Sequence, residues 1–323
     1  MRLEELSEDA FLRELSRRFP PSSANVVLGI GDDAAVVEPP PGERILLTTD
    51  ALIEGVHFSS KWMPPRFVGR KAVAVAASDI AAMGGQPLAV LLSMAVPRQS
   101  DVESLFQIVE AVQERASELG MSLVGGNVAS SPGGMVVDVT VMGATLGKRA
   151  LLRAGANAGD GIYLSGVIGA AAAGLELLER GAVADVRESS IRAQLDPEPR
   201  IELGKELNRG ELASACIDVS DGLALDLHRL CRASGLGARI HEAWLPILPG
   251  VATDAAIRGG EDYELLFASA QRDELEQLRA RLDLPITRIG EMIAGGGVEL
   301  SGRDGDVRRL SPAGWDHFSQ LEK

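Results

Sequence analysis

Gly29-Ile30-Gly31-Asp32-Asp33-Ala34-Ala35-Val36 is the stretch on which the fold turns. Its Gly-x-Gly-x-x-Ala spacing is that of a dinucleotide-binding turn, in which the glycines admit a pyrophosphate and a helix opens directly behind them. Here residues 34–37 run instead into Pro39-Pro40-Pro41-Gly42, a turn signal that leaves no room for that helix. The dinucleotide reading therefore falls, and the paired acids Asp32 and Asp33 become the feature to explain. A P-loop is excluded as well. Gly143-Ala144-Thr145-Leu146-Gly147-Lys148 is one residue short of that motif and is followed by Arg149.

Three further acidic clusters share the character of the first: Thr48-Thr49-Asp50, Ser78-Asp79 and Asp218-Val219-Ser220-Asp221-Gly222. Each lies where an apolar run stops or beside small residues, so its carboxylate is expected to be half-buried. Two bare carboxylates about 4 Å apart repel by roughly 4 kcal/mol at an effective dielectric near 20. Several of them converging need cations. Carboxylate and hydroxyl oxygens with no cysteine or histidine cluster suit hard Mg²⁺, whose shell substrate phosphates usually complete. The pattern predicts a Mg²⁺–nucleotide site assembled from distant pieces of chain.

Composition narrows the function classes. The 323 residues are 46% hydrophobic and 24% charged, as in an ordinary globular protein long enough for two domains. A net charge of −14 with no basic stripe argues against nucleic acid or an anionic membrane as partner. Cys216 and Cys231 are too few for a disulfide framework and fit inert thiols in a reducing compartment. Glu4, Glu5, Glu8 and Asp9 stand where a signal peptide would need apolar residues. The longest apolar run, residues 88–96, is broken by Ser93 and is far short of the ~20 residues that span a bilayer. A soluble, cytoplasmic protein is expected.

Periodicity predicts helices over 7–19 and 66–83, the second ended by Gly84-Gly85, and a third behind a capping box of Ser100 and Glu103. Strands are expected over 26–30, 44–48, 88–96, 122–124 and 135–142. After the Gly147-Lys148 region, strands at 161–165, 213–217, 263–268 and 286–291 alternate with helices at 169–178, 223–233 and 273–282. The chain thus reads as α/β overall: an α+β N-terminal domain over 1–147 and an α/β C-terminal domain over 148–323.

Five motifs in this order resemble one family. They are Gly-Ile-Gly-Asp-Asp-Ala-Ala-Val (29–36), Thr-Thr-Asp-Ala-Leu-Ile-Glu-Gly-Val-His-Phe (48–58), Ala-Ser-Asp-Ile-Ala-Ala-Met-Gly-Gly (77–85), Asp-Val-Ser-Asp-Gly-Leu (218–223) and Gly-Gly-Glu-Asp-Tyr-Glu-Leu (259–265). Together they closely resemble the thiamine-monophosphate kinases, relatives of aminoimidazole ribonucleotide synthetase. The resemblance implies that two-domain fold, a homodimer joined through the N-terminal domains, and ATP-dependent phosphorylation of thiamine monophosphate to the diphosphate with several Mg²⁺ ions. It also implies roles. Asp33, Asp50, Asp79 and Asp218 would be Mg²⁺ ligands, Asp221 would hold a further ion, and Thr48 and Thr49 would add oxygens. Gly126, Asn127, Arg153 and Ser220 would meet ATP; His57, Glu261 and Trp315 would meet the acceptor. Many family members carry Asp after the paired glycines, so Asn127 is a departure, though its carboxamide still offers an oxygen to metal. Trp62 and Trp244 read as structural. No general base is expected, because the acceptor phosphate is already ionised. The nearest rival reading is another ATP-using member of the same superfamily, the cyclo-ligase of purine synthesis. Relatives that depend on a reactive cysteine near either end fit less well, since this chain begins Met-Arg-Leu-Glu and ends Gln-Leu-Glu-Lys. A non-catalytic nucleotide-binding scaffold is disfavoured by the nearly complete acidic set.

Overall fold

The computed structural model describes Glu14, Arg17, Arg18, residues 25–28 and residues 36–315. Most of the expected opening helix, and residues 29–35 with Asp32 and Asp33, lie outside the described residues. What is described contains eight α-helices and three sheets.

A short ribbon, β1 (Val26–Leu28) with β2 (Val36–Val37), precedes a four-stranded sheet. That sheet comprises β3 (Ile45–Ile53), β4 (Gly85–Pro97), β5 (Ser122–Ser131) and β6 (Val136–Thr145), in the order β3-β6-β4-β5. Only β4 and β5 run parallel. Helix α1 (Pro65–Ala82) and helix α2 (Val102–Glu118) pack together, with α1 also against β3 and β6. Pro65 starts α1 with its ring-fixed φ, and Gly84, at φ +67°, turns the chain away after it. Nearly all of α1 is buried, which its run of alanines allows by letting neighbours approach from every side.

Helix α2 is capped one residue later than expected. Asp101, not Ser100, accepts from the Ser104 amide at 3.0 Å. The larger departure is in β5, which was expected to end at residue 124 but continues through Gly125-Gly126-Asn127 to Ser131. An irregularity opposite Val90 and Leu91 absorbs the change in register. At Gly126 a Cβ would stand 1.8 Å from the Leu92 carbonyl oxygen, so only glycine lets β5 lie this close to β4.

The second half builds a seven-stranded sheet from β7 (Gly161–Ser165), β8 (Ala215–Asp218), β9 (Gly237–His241), β10 (Leu265–Ser269), β11 (Ile286–Ile293), β12 (Gly297–Ser301) and β13 (Val307–Leu310). Its order is β13-β12-β9-β11-β7-β10-β8, and every pair except β12–β9 is antiparallel. The mixed α/β class stands, with antiparallel pairing dominant. Helices α3 (Ala170–Glu179), α4 (Ser189–Leu195), α5 (Ile201–Arg209), α6 (Leu223–Ser234), α7 (Thr253–Arg258) and α8 (Arg272–Leu282) complete the fold. Of these, α4, α5 and α7, with β9, β12 and β13, were not anticipated, because each is short.

The apolar core around α1 and α2 continues through Leu195, Ile201 and Leu207 of the second half. Polar ties cross the same seam. Asn208 Nδ2 donates to the Gly84 and Arg149 carbonyls, and Arg70 and Arg115 reach Asp196 and Glu198. Helix α1 also touches β8, which delivers Asp218 to the seam. Both cysteines are buried thiols, and burial pushes Cys231 up to about 11 and Cys216 higher still.

Candidate active site

Strand alternation sorts the residues of β3. Even-numbered positions face α1 and odd-numbered positions face outward. Thr48 therefore meets α1, and its Oγ1 donates to Asp79 Oδ2 at 2.5 Å. One residue before Asp79, Ser78 Oγ donates to Asp218 Oδ2 at 2.8 Å, a bond buried at the junction of α1 and β8. Three elements distant in sequence thus place Asp50, Asp79 and Asp218 together. Burial raises Asp50 to about 7, and the nearby carboxylates of Asp79, Asp218 and Asp138 push in the same direction. Burial also carries Asp218 well above the usual carboxylate range, with Asp79 adding to it, while the Ser78 hydroxyl and the Arg153 charge oppose the rise.

Beyond β8 the chain turns through Val219 and Ser220 to Asp221. Asp221 is already engaged, since Arg229 Nη1 lies 2.6 Å from its carboxylate and 2.6 Å from that of Asp226. Asp226 in turn accepts from the amides of Asp221 and Gly222 at 3.0 and 3.1 Å, which fixes this turn. Burial raises Asp226 to about 6 against the pull of Arg229.

The loop carrying Glu261 is stitched to the same turn. Glu261 donates its amide to the Ser220 carbonyl at 2.7 Å, and Tyr263 donates to Val219 at 2.9 Å. Both residues hold left-handed backbone, at φ +69° and +50°, conformations that cost about 1–3 kcal/mol each and persist only when the surroundings impose them. Between them Asp262 accepts from the Gly169 and Ala171 amides at the start of α3, and burial holds its carboxyl up at about 7. The buried Tyr263 hydroxyl has Glu261, Asp50, Asp218 and Asp221 around it, which together with burial keep it protonated.

Lys71 was missed by the motif reading. It is wholly buried on α1, and its Nζ stands 2.7 Å from Glu261 Oε1, while Gln194 donates to Oε2 at 2.9 Å. A lysine inside a helix of small apolar residues was the available signal, but its partner lies far along the chain.

Other expected site residues lie elsewhere. Thr49 and Asn127 are on the outward face of the four-stranded sheet, opposite to Thr48 and Asp50. Gly126 is held inside β5. His57 lies just beyond β3, where its Nδ1 accepts from the Ile53 amide at 3.1 Å. Trp315 donates its amide to the Asp221 carbonyl at 2.9 Å. Its side chain lines a cleft of about 980 Å³ with Asp221, Arg229, Arg232 and Arg309. Neither His57 nor Glu261 lines that cleft.

Among the described residues, no three carboxylate, histidine or cysteine side chains close into a metal cage. The donors around Asp50 are nonetheless all oxygens, and burial followed by the charges of Asp79, Asp218 and Asp138 raises Asp50. That chemistry fits a hard divalent cation completed by phosphate oxygens.

The AIR synthase related protein N-terminal domain matches residues 31–145, and the corresponding C-terminal domain matches 157–303. Thiamine-monophosphate kinase of Escherichia coli K12 is 37% identical over 315 residues, covering 92% of this chain and 94% of its own. The crystal structure of thiamine-monophosphate kinase from Stenotrophomonas maltophilia K279a superposes with a TM-score of 0.80 at 35% identity, over 95% of this chain and 98% of that one. AaThiL complexed with AMPPCP and TMP superposes with a TM-score of 0.75 at 33% identity, over 98% and 99%.

Proposed function

The chain belongs to the AIR synthase related family and, within it, to the thiamine-monophosphate kinases, and from that premise we propose that it moves the γ-phosphoryl group of ATP directly, in line, onto the phosphate of thiamine monophosphate at a site holding several Mg²⁺ ions. The observation that carries the proposal is the meeting of Asp50, Asp79 and Asp218 from β3, α1 and β8. Phosphoryl transfer needs little covalent help from a protein; positioning and charge neutralisation dominate. Mg²⁺ would supply that neutralisation, held by Asp50, Asp79, Asp218 and Thr48, with Asp33, Asp221, Thr49 and Asn127 as further oxygen donors.

The remaining work belongs to the chain. Ser78 and Thr48 orient the carboxylates they bond to. Arg153 acts near Asp218, and Ser220 and Gly126 meet the nucleotide. The carboxylate of Glu261, aimed by Lys71 and Gln194, faces the cationic acceptor, and His57 and Trp315 are the further acceptor contacts that the resemblance implies. The AMPPCP and TMP bound in AaThiL support both substrates for this chain.

Residues 1–147 and 148–323 act as the two domains, and the outward face of the four-stranded sheet joins two copies of the chain. Leu47 is 71% exposed there, with Ile45, Ile53 and Leu91 beside it, an apolar surface that a partner would cover. No described helix is long and apolar enough to cross a membrane, which supports a cytoplasmic enzyme. A coupled assay of ADP release, with and without thiamine monophosphate, tests the central assignment.

A further inference from the structure

Helix α1 grips the site at two places on one face. Ser78 Oγ donates to Asp218, and Lys71, two turns earlier, puts its Nζ 2.7 Å from Glu261 Oε1. Helix positions seven apart point the same way and lie about 10 Å from each other along the axis. Both side chains are wholly buried. The two segments they hold are themselves joined. Asp218 lies opposite Leu265 in the β8–β10 pairing, and backbone contacts continue past that register. Val219 donates its amide to the Glu264 carbonyl at 2.8 Å, while Tyr263 and Glu261 donate to the Val219 and Ser220 carbonyls at 2.9 and 2.7 Å. A Cβ on Gly260 would stand 2.7 Å from the Ser220 carbonyl oxygen, so the segments touch without spare room. Glu261 and Tyr263 keep left-handed backbone, which lasts only where the surroundings impose it.

We infer that Lys71 is a positioning residue for the nucleotide turn. By holding Glu261 it fixes, through the Glu261–Ser220 and Tyr263–Val219 bonds, the turn 218–222 that Ser78 holds at its other end. The inference rests on the Mg·ATP reading and deepens it, since there Ser220 and Asp221 meet nucleotide and metal. Buried charge supplies the physical reason. Without the Lys71 ammonium the Glu261 carboxylate is left unmatched inside the protein and withdraws toward water. The strained loop then loses its tie to α1. It keeps those from the second half of the chain, Gln194 on Glu261 and the Gly169 and Ala171 amides on Asp262. With the loop displaced, the Val219 and Ser220 carbonyls lose their donors and the turn its fixed place. A residue that touches only the acceptor's carboxylate thereby governs how tightly the nucleotide is held.

The test compares the full chain with Lys71→Met and with Lys71→Met/Glu261→Gln. The double variant removes the pair without changing net charge or leaving a buried carboxylate alone, so it decides the question even where the single variant is too unstable to study. Amide hydrogen exchange followed by NMR reads the turn without any ligand. In the double variant the Val219 and Tyr263 amides should exchange at least ~tenfold faster, the scale of releasing one strained residue, while β7 amides keep their wild-type rates. Calorimetric titration with Mg·AMPPCP should show affinity weakened at least ~fivefold, the lower end of coupling between linked sites. Unchanged exchange at Val219 and Tyr263, or a rise shared equally by β7, would overturn the inference. So would faster exchange with unaltered AMPPCP affinity, which would confine Lys71 to the acceptor side. A wild type that binds no Mg·AMPPCP would sink the kinase reading instead, and the exchange rates alone would then decide whether Lys71 positions the turn.

Discussion

Single side chains at the seam carry opposite burdens, and substitution separates them. Asp50 is an anion that its neighbours oppose, so Asp50→Asn and Asp79→Asn should leave folding intact, relieving repulsion, while each lowers kcat by at least ~100-fold. Steady-state kinetics beside a melting curve checks both halves of that statement, and near-full activity at low Mg²⁺ would contradict it. Lys71 is the converse, a buried cation whose loss leaves Glu261 without its partner. Lys71→Met should cost up to about 3 kcal/mol in urea unfolding, and Lys71→Met/Glu261→Gln should recover much of it. Asp262 titrates in a readable window. Its folded pKa of about 7 lies above the ordinary 3.8, so the folded state holds the proton more tightly, and this group's contribution to stability is complete below about pH 4 and lost as pH rises through 7. The melting temperature of wild type relative to Asp262→Asn should therefore fall between pH 4 and pH 7; a difference that stays flat would refute the assignment. The acidic positions themselves were legible as motifs. Lys71 and Gln194 were not, because each acquires its meaning from a partner that folding alone brings near.

At the scale of elements, periodicity located most long elements to within a few residues, as α1 and β7 illustrate. It failed where a glycine pair has two readings. Gly125-Gly126 looks like a turn, yet in β5 the absent side chains let two strands approach closely. Gly126→Ala should therefore destabilise the protein by about 1–3 kcal/mol, the usual cost of forcing atoms into a packed site, measurable by chemical denaturation. A neutral result would mean that β5 does not lie against Leu92 as described. The same strand explains why Asn127 and Thr49 stand across the sheet from Thr48 and Asp50. A period of two assigns faces, and motif order alone does not reveal which face a ligand takes. The antiparallel pairing of the second half was equally hidden, since alternating strands and helices is compatible with either direction until the connections are seen.

At the scale of the whole molecule, the two sheets share one apolar body, and α1 is the member that both halves hold. The open face of the smaller sheet is the surface left to explain. If it joins two copies, Leu47→Lys should shift the chain toward monomer in sedimentation velocity with little change in unfolding, because Leu47 is 71% exposed and has little burial to lose. An unaltered sedimentation coefficient would place the contact elsewhere. The central claim concerns the reaction, and one measurement reaches it most directly: ADP release from Mg·ATP by the purified protein with thiamine monophosphate, thiamine or no acceptor. The account predicts turnover that depends on both thiamine monophosphate and Mg²⁺, with thiamine a poor substitute; turnover with thiamine and none with its monophosphate would contradict it.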